Sequence, residues 1–327
     1  MMNKNKNVLR INFVDQLKGL AILLVVMGHI YIYKITDKPL ITGIIYTFHM
    51  PLFMILAGYV STKSIENSIH SKISFIKRKF RTLMVPYLSF SIIYGLIMAG
   101  PHSIITMEYK APFWFLLILF ILHLVKLIIN KYIDKNLIFA GYIVCSIGAL
   151  YLLAILFPTV STISRLWYYL IWFYIGYIIR KYKWMDNVVR NNPIVMIAAL
   201  LIYLIISLIV YLNTSNIFNS DLRNLFTGIS ASVVLIYLFN LSIKFSIGIK
   251  KILSYLGKKS LDIYVIHYFF LIPFPQLNGT AIDHGSFLLT TSFSFIVSVL
   301  IILACLFTST VLKLNKYVSL VMFGEKI

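Results

Sequence analysis

The sequence is poor in acid. Its 327 residues hold 10 Asp and Glu against 30 Lys and Arg, and charged residues of both signs make up 12% of the chain. Soluble domains carry about 25% charged residues, so half the usual charge is missing and a water-facing surface cannot be covered. Cysteine is scarce as well. Cys145 and Cys305 both fall inside apolar runs, where they read as packing residues and say nothing about redox compartment. No CxxC, HExxH, Walker A loop or GxSxG occurs, and the basic loops hold no zinc-ligand cluster. ATP-driven transport and soluble-type hydrolase chemistry therefore lose support, and no metal is expected. What is abundant is oil: 60% of the residues are hydrophobic. This composition excludes a soluble globular protein, a disordered chain and a nucleic-acid-binding domain. The formal charge of +20 would point to nucleic acid in a soluble protein; here no nucleic acid partner is expected, and the meaning of the charge depends on where it sits.

A spanning helix needs about 20 mostly apolar residues. Ten segments qualify: 16–34, 40–60, 82–99, 112–129, 137–157, 162–180, 193–212, 222–240, 260–275 and 287–312. Their continuous hydrophobicity excludes the alternating runs of a membrane barrel, so the expected fold is all-α, a multi-pass bundle of about ten helices. Counting Lys and Arg in alternate loops gives the orientation. Of the 30 basic residues, 25 fall with the N-terminus, the loops near 61–81, 126–136, 180–192 and 241–259, and the C-terminus; only Lys34, Lys38, Lys110, Arg165 and Arg223 fall on the other side. Both termini are thus expected in the cytoplasm. The first span lacks a small-x-small cleavage pattern and reads as retained. Residues 1–327 read as one polytopic domain with no soluble domain attached, placed in the plasma or inner membrane. Any chemistry must then lie in the bundle or at its faces.

Ionisable residues inside spans are costly, which makes each a functional candidate. They are Asp15, Lys18, His29, His49, His123, Arg165, Asp262 and His267. Lys18 and His29 are eleven residues apart, which returns them to nearly the same helix face, about 16 Å apart along the axis. Asp15 lies close to the same stripe. Asp15 and Lys18 either mark the interface or belong to a site. Gly28 beside His29 permits close approach of backbone or ligand. His49 sits mid-span, two residues before Pro51; it is either functional or bonded to the carbonyl the proline releases. After the second span, Ile65, Ile69, Ile73, Ile76 and Phe80 recur at helical spacing, an amphipathic helix expected to lie on the inner leaflet. Its end is basic: Lys77, Arg78, Lys79 and Arg81. Arg78 and Arg81 are neighbours at i,i+3, and two guanidinium forks suit a phosphate-rich ligand, or simply anionic membrane lipid. Before the ninth span, Gly257 is a plausible break and Ser260 a cap. Ser260, Tyr264 and His267 share one face, for catalysis or for hydrogen bonds between helices. Arg165, near an outer helix end, either snorkels or holds an anionic or polyhydroxyl substrate. His123 has no motif beside it.

Several of these stretches together resemble the membrane acyltransferase-3 family, in the ten-span branch that includes fucose-4-O-acetylase-like proteins. They are DQLKGLAILLVVMGH (15–29), FHMPLFMILAGY (48–59) and KRKFRTLMVPY (77–87), with weaker matches at APFWFL (111–116), which contains Trp114, and LGKKSLDIYVIH (256–267). The resemblance implies transfer of an acyl group, usually acetyl, from cytoplasmic acyl-CoA to a sugar hydroxyl of an envelope glycan or a lipid-linked sugar. His29 matches the family's first-span histidine. Lys18 stands where many members carry arginine, so the charge is kept and the fork is lost. No extracytoplasmic hydrolase-like domain is expected.

On this reading acetyl-CoA, or another acyl-CoA, docks its nucleotide on Lys77, Arg78 and Arg81, and its arm passes Lys18 toward His29. His29 is the general base, an imidazole with an ordinary pKa of about 6.5. Its partner must come from another span, either His49 or the polar face of span nine. An acyl-imidazole intermediate and direct transfer both remain open. Trp114, Arg165, Asp15, Ser260, Tyr264 and His267 are substrate or structural positions. A different class also fits buried polar groups and broken helices: a transporter of glycan precursors or polar solutes, although the sequence lacks paired half-repeats. A silent assembly partner in polysaccharide export is the weakest alternative.

Overall fold

A computed structural model describes residues 2–32, 39–61, 69–99, 112–129, 136–157, 161–211, 220–242, 247–272 and 287–325. Among these the chain is almost entirely helical, with no strand. Among the described residues six helices are long and apolar enough to cross a membrane, and Trp114–Leu127, Pro193–Ile209 and Ser260–Leu271 are shorter apolar helices. Large side chains such as Ile194, Leu288 and Leu314 are exposed. In water such apolar surface would be a liability; against lipid it costs nothing. The protein is a multi-pass membrane protein.

By internal contacts the chain forms two compact units interleaved in sequence: residues 1–56 with 178–305, and residues 57–177 with 306–327. In the first unit, α1 (Met2–Ile32) is the core helix, with Leu17, Ala21, Ile22 and Val26 fully buried. The stretch 241–259, expected to be a loop, instead carries an amphipathic helix, α10 (Ile247–Lys258), packed along α1. Its basic residues made it read as a cytoplasmic connection; its periodicity makes it a helix. Glycines set the approach. A Cβ on Gly19 would strike the Leu253 carbonyl, and one on Gly257 the Asp15 carbonyl. Gly257 is therefore a contact point inside a helix, not a break. Next comes α11 (Ser260–Leu271), which also packs on α1. Ser260 does not cap it: Lys259 occupies that position without a side-chain cap bond. Residues 273–275 of the expected ninth span lie outside the described residues. A pair of helices, α8 (Pro193–Tyr211) and α9 (Ser220–Ser242), completes the packing. It is pinned by Arg190, which hydrogen-bonds Asn240 and stacks over Phe13 at 4.0 Å.

In the second unit, α3 (Ile69–Lys79) runs through a wide π turn, Phe80–Met84, straight into α4 (Val85–Ala99). The amphipathic helix expected in the connection near 61–81 is present from residue 69 and runs unbroken into the next apolar helix; residues 62–68 lie outside the described ones. Against the π turn packs α5 (Trp114–Ile129). The C-terminus folds back as well. Asn315 caps a short turn by accepting from the Tyr317 and Val318 amides, Ser89 donates to the Val321 carbonyl at 2.6 Å, and Gly324, at φ 64°, fits where a Cβ would strike the Arg81 carbonyl. Outward on α6 (Asn136–Leu156), Cys145 is exposed, not packed; Cys305, on α12 (Phe287–Leu314), is buried.

Candidate active site and basic cluster

In the first unit three helices converge on His29. It is half-buried near the end of α1, and its Nδ1 lies 3.0 Å from Nε2 of His267, which is fully buried on α11. The Tyr268 hydroxyl lies 3.3 Å from His29 Nε2. His267 Nδ1 is 3.1 Å from the Ile263 carbonyl, one turn back. A carbonyl oxygen can only accept, so His267 must carry its proton on Nδ1 and offer a lone pair at Nε2. His29 must then donate through Nδ1, which leaves its Nε2 as a lone pair. A single backbone carbonyl thus fixes the tautomer of two imidazoles in series and presents a basic nitrogen to whatever hydroxyl lies before it. In this structure that hydroxyl is Tyr268.

The third helix is α2 (Pro39–Val60). Its His49 is buried, and Nδ1 donates to the Ile45 carbonyl at 2.8 Å. The expected partner, the carbonyl released by Pro51, belongs to residue 47, so the proline is not what holds His49. The helix continues through Pro51. Tyr46 stands between the histidines, its ring edge-on to His49 at 4.5 Å and to His29 at 6.4 Å. Among the described residues no hydrogen bond joins His49 to His29. Tyr264 is buried with its ring 6.0 Å from His267. Asp262 is buried and pairs with Lys259 at 3.6 Å. Asp15 and Lys18 are half-buried lower on α1; Ser260 is half-buried at the start of α11. Of the sequence candidates, then, His29 and His267 meet directly. Tyr46 and Tyr268 were missed, although Tyr46 precedes His49 by three residues and so shares its face.

The second unit holds the basic residues. Arg78, Lys79 and Lys126 all lie over the Phe75 ring, at 5.6, 5.7 and 5.7 Å from its centroid, a cation–π arrangement. Lys126 is buried and donates to the Ser61 carbonyl at the end of α2, where a cation also complements the helix dipole. It was read as a loop charge; its place is inside the cluster. Lys77 and Arg78 are exposed. Arg81, in the π turn, is half-buried, and its Nε is enclosed without a hydrogen-bond partner among the described residues. The π turn alters the helical phase between Arg78 and Arg81, so their surroundings differ. Next to the cluster, His123 is buried and donates to the Leu119 carbonyl at 2.7 Å, with Phe75 and Phe173 beside it. Elsewhere in this unit the exposed Arg165 lies over the Trp114 ring at 5.1 Å, and Tyr169 stacks on the same indole at 5.1 Å. Among the described residues no three His, Cys, Asp or Glu converge as a metal-binding group.

A family model described as an acyltransferase domain matches residues 11–310. One segment of 57 residues is 44% identical to the nodulation protein NolL of Sinorhizobium fredii (strain NBRC 101917 / NGR234), covering 16% of this chain and 16% of that protein. No solved structure matches the chain.

Proposed function

Because the chain belongs to the acyltransferase-3 family, we propose that it is an integral membrane O-acyltransferase, moving an acyl group, acetyl first among them, from acyl-CoA to a sugar hydroxyl of an envelope glycan or lipid-linked sugar. The observation that carries the reading is the hydrogen-bond series from the Ile263 carbonyl through His267 to His29. It leaves His29 Nε2 as an acceptor, the state a general base needs. The Tyr268 hydroxyl 3.3 Å away marks where an acceptor hydroxyl would sit. In direct transfer, His29 takes the proton of that hydroxyl as its oxygen attacks the thioester carbon. The tetrahedral species then collapses, the C–S bond breaks, and His29 passes the proton to the departing sulfur, so that CoA leaves as the thiol and the imidazole is neutral again. His267 steadies the imidazole as it gains charge, much as a carboxylate does in a hydrolase triad.

For the donor, the reading uses Arg78, Lys79, Lys126, Lys77 and Arg81 as the dock for the anionic nucleotide of CoA. What supports it is the concentration of cations about one phenyl ring and an enclosed guanidinium nitrogen awaiting an acceptor. Guanidinium forks match phosphate oxygens in geometry as well as charge. For the acceptor, Trp114 and Tyr169 with Arg165 above them form an aromatic and cationic surface suited to a polyhydroxyl ligand. Ten spans with both termini cytoplasmic complete the proposal, supported by the placement of 25 of the 30 basic residues on one side.

The test is the acetylation state of envelope glycans, read by mass spectrometry in a strain lacking this chain. O-acyl groups are expected to disappear, to return with the wild-type chain, and to stay absent with His29→Ala. Restoration by His29→Ala contradicts the assigned role, and glycans unchanged by deletion contradict the function.

A further inference from the structure

We propose that Tyr46 is a catalytic residue of this site, donating its phenolic proton as a hydrogen bond to the thioester oxygen as that oxygen becomes negative. The inference rests on the acyltransferase reading and adds a second group, of opposite role, to the base.

The hydroxyl of Tyr46 is enclosed, yet it has no hydrogen-bond partner among the described residues. Buried tyrosine hydroxyls ordinarily find a partner, and one left without costs stability. The rest of the side chain is well held. Its ring packs against the cluster of Met27, Tyr31 and Ile45. Phenylalanine would fill that space equally well, so packing alone does not account for the oxygen. Nor is the position incidental. The ring stands edge-on to both His29 and His49, and it gets there because residue 28 has no side chain. A Cβ on Gly28 would lie 3.1 Å from Tyr46 Cε2 and 3.7 Å from Cζ, the carbon that bears the hydroxyl. The glycine beside the base is what admits the phenol.

Acyl transfer needs such a group. When the acceptor oxygen attacks, the C=O electron pair moves onto oxygen. A donor already aimed at that oxygen stabilises the charge without reorganising. The His29 series cannot supply it, because His29 Nδ1–H is committed to His267 and its Nε2 is the acceptor. Of the described residues whose rings face His29, His267 is bonded to the Ile263 carbonyl and the Tyr268 hydroxyl to His29 itself, whereas the Tyr46 hydroxyl has no partner among the described residues. As the intermediate collapses, the pair returns to re-form C=O and the hydrogen bond weakens again; Tyr46 keeps its proton throughout.

Tyr46→Phe in the full-length protein tests this, with labelled acetyl-CoA and a glycan acceptor. Loss of one such donor is expected to lower kcat roughly 100- to 1000-fold, with KM for both substrates within about twofold and a melting temperature equal to or above that of the wild type, since an unsatisfied hydroxyl has been removed. A kcat within about twofold of wild type overturns the proposal. So does a raised KM at unchanged kcat, which makes Tyr46 a binding residue, or a lowered melting temperature with unchanged kcat per folded molecule, which makes it structural. A wild-type chain that transfers no acyl group overturns the underlying reading instead; an active wild type with an equally active variant overturns the role of Tyr46 alone.

Discussion

At the scale of the residue, the centre of the account is a proton's position. In the proposed role, His29 serves as a base because its Nδ1 is committed, and Nδ1 is committed because His267 is itself fixed by the Ile263 carbonyl. Buried polar series of this kind are worth more than their separate bonds. His267→Ala is expected to lower kcat roughly 100-fold while KM for donor and acceptor stays near the wild-type value. A merely structural role for His267 would instead reduce the folded fraction and leave kcat per folded molecule intact. His29 was legible in the sequence, since an imidazole deep in an apolar helix has few other reasons to be there. Its partner was narrowed to two elements without a choice between them. That choice depends on the packing of α11 on α1, which no local pattern encodes. Tyr46 and Tyr268 were harder still. In a chain with 22 tyrosines, one more on an apolar helix carries no signal until its neighbours are known.

At the scale of the element, every span read from hydrophobicity corresponds to a helix, because a run of apolar residues in lipid leaves the backbone no other way to satisfy its polar groups. The misreadings lie in the connections. Basic residues made 241–259 read as a loop, whereas α10 occupies most of its length; in the connection near 61–81 the amphipathic helix read from the spacing of Ile69, Ile73 and Ile76 is present as α3. The π turn at Phe80–Met84 left no mark in the sequence, and it changed the setting of Arg81. Glycines on α1 and α10 have consequences that depend on the facing helix. Gly257→Ala places a methyl group into the Asp15 carbonyl and is expected to destabilise the protein by about 1–3 kcal/mol, as overpacking does. Gly141→Ala, where nothing lies within 4 Å, is expected to be neutral or to stabilise by roughly 0.5–1 kcal/mol. Thermal unfolding of the two variants in one detergent checks the contrast; equal melting temperatures would contradict the proposed close contact of α1 and α10.

For the whole molecule, the scarcity of acid has a clear reading. A chain that faces lipid needs little charge. On the ten-span reading, 25 of its 30 Lys and Arg fall in segments assigned to one membrane face. Part of that excess is built into structure: Lys126 is buried against the Ser61 carbonyl, and three cations share the Phe75 ring. The interleaving of the two units, each drawn from distant stretches of chain, was not legible, because it depends on which helices pair and not on any one helix. Membership of the acyltransferase-3 family was legible from three short motifs.

The central claim is that His29 takes a proton from an acceptor hydroxyl during acyl transfer from CoA. It is tested most directly by incubating the purified protein with labelled acetyl-CoA and an envelope glycan fraction, and measuring label in glycan ester. The wild type is expected to transfer label, and His29→Ala, folded as judged by its melting temperature, is expected to transfer none above the uncatalysed background. Undiminished transfer by His29→Ala would contradict the account.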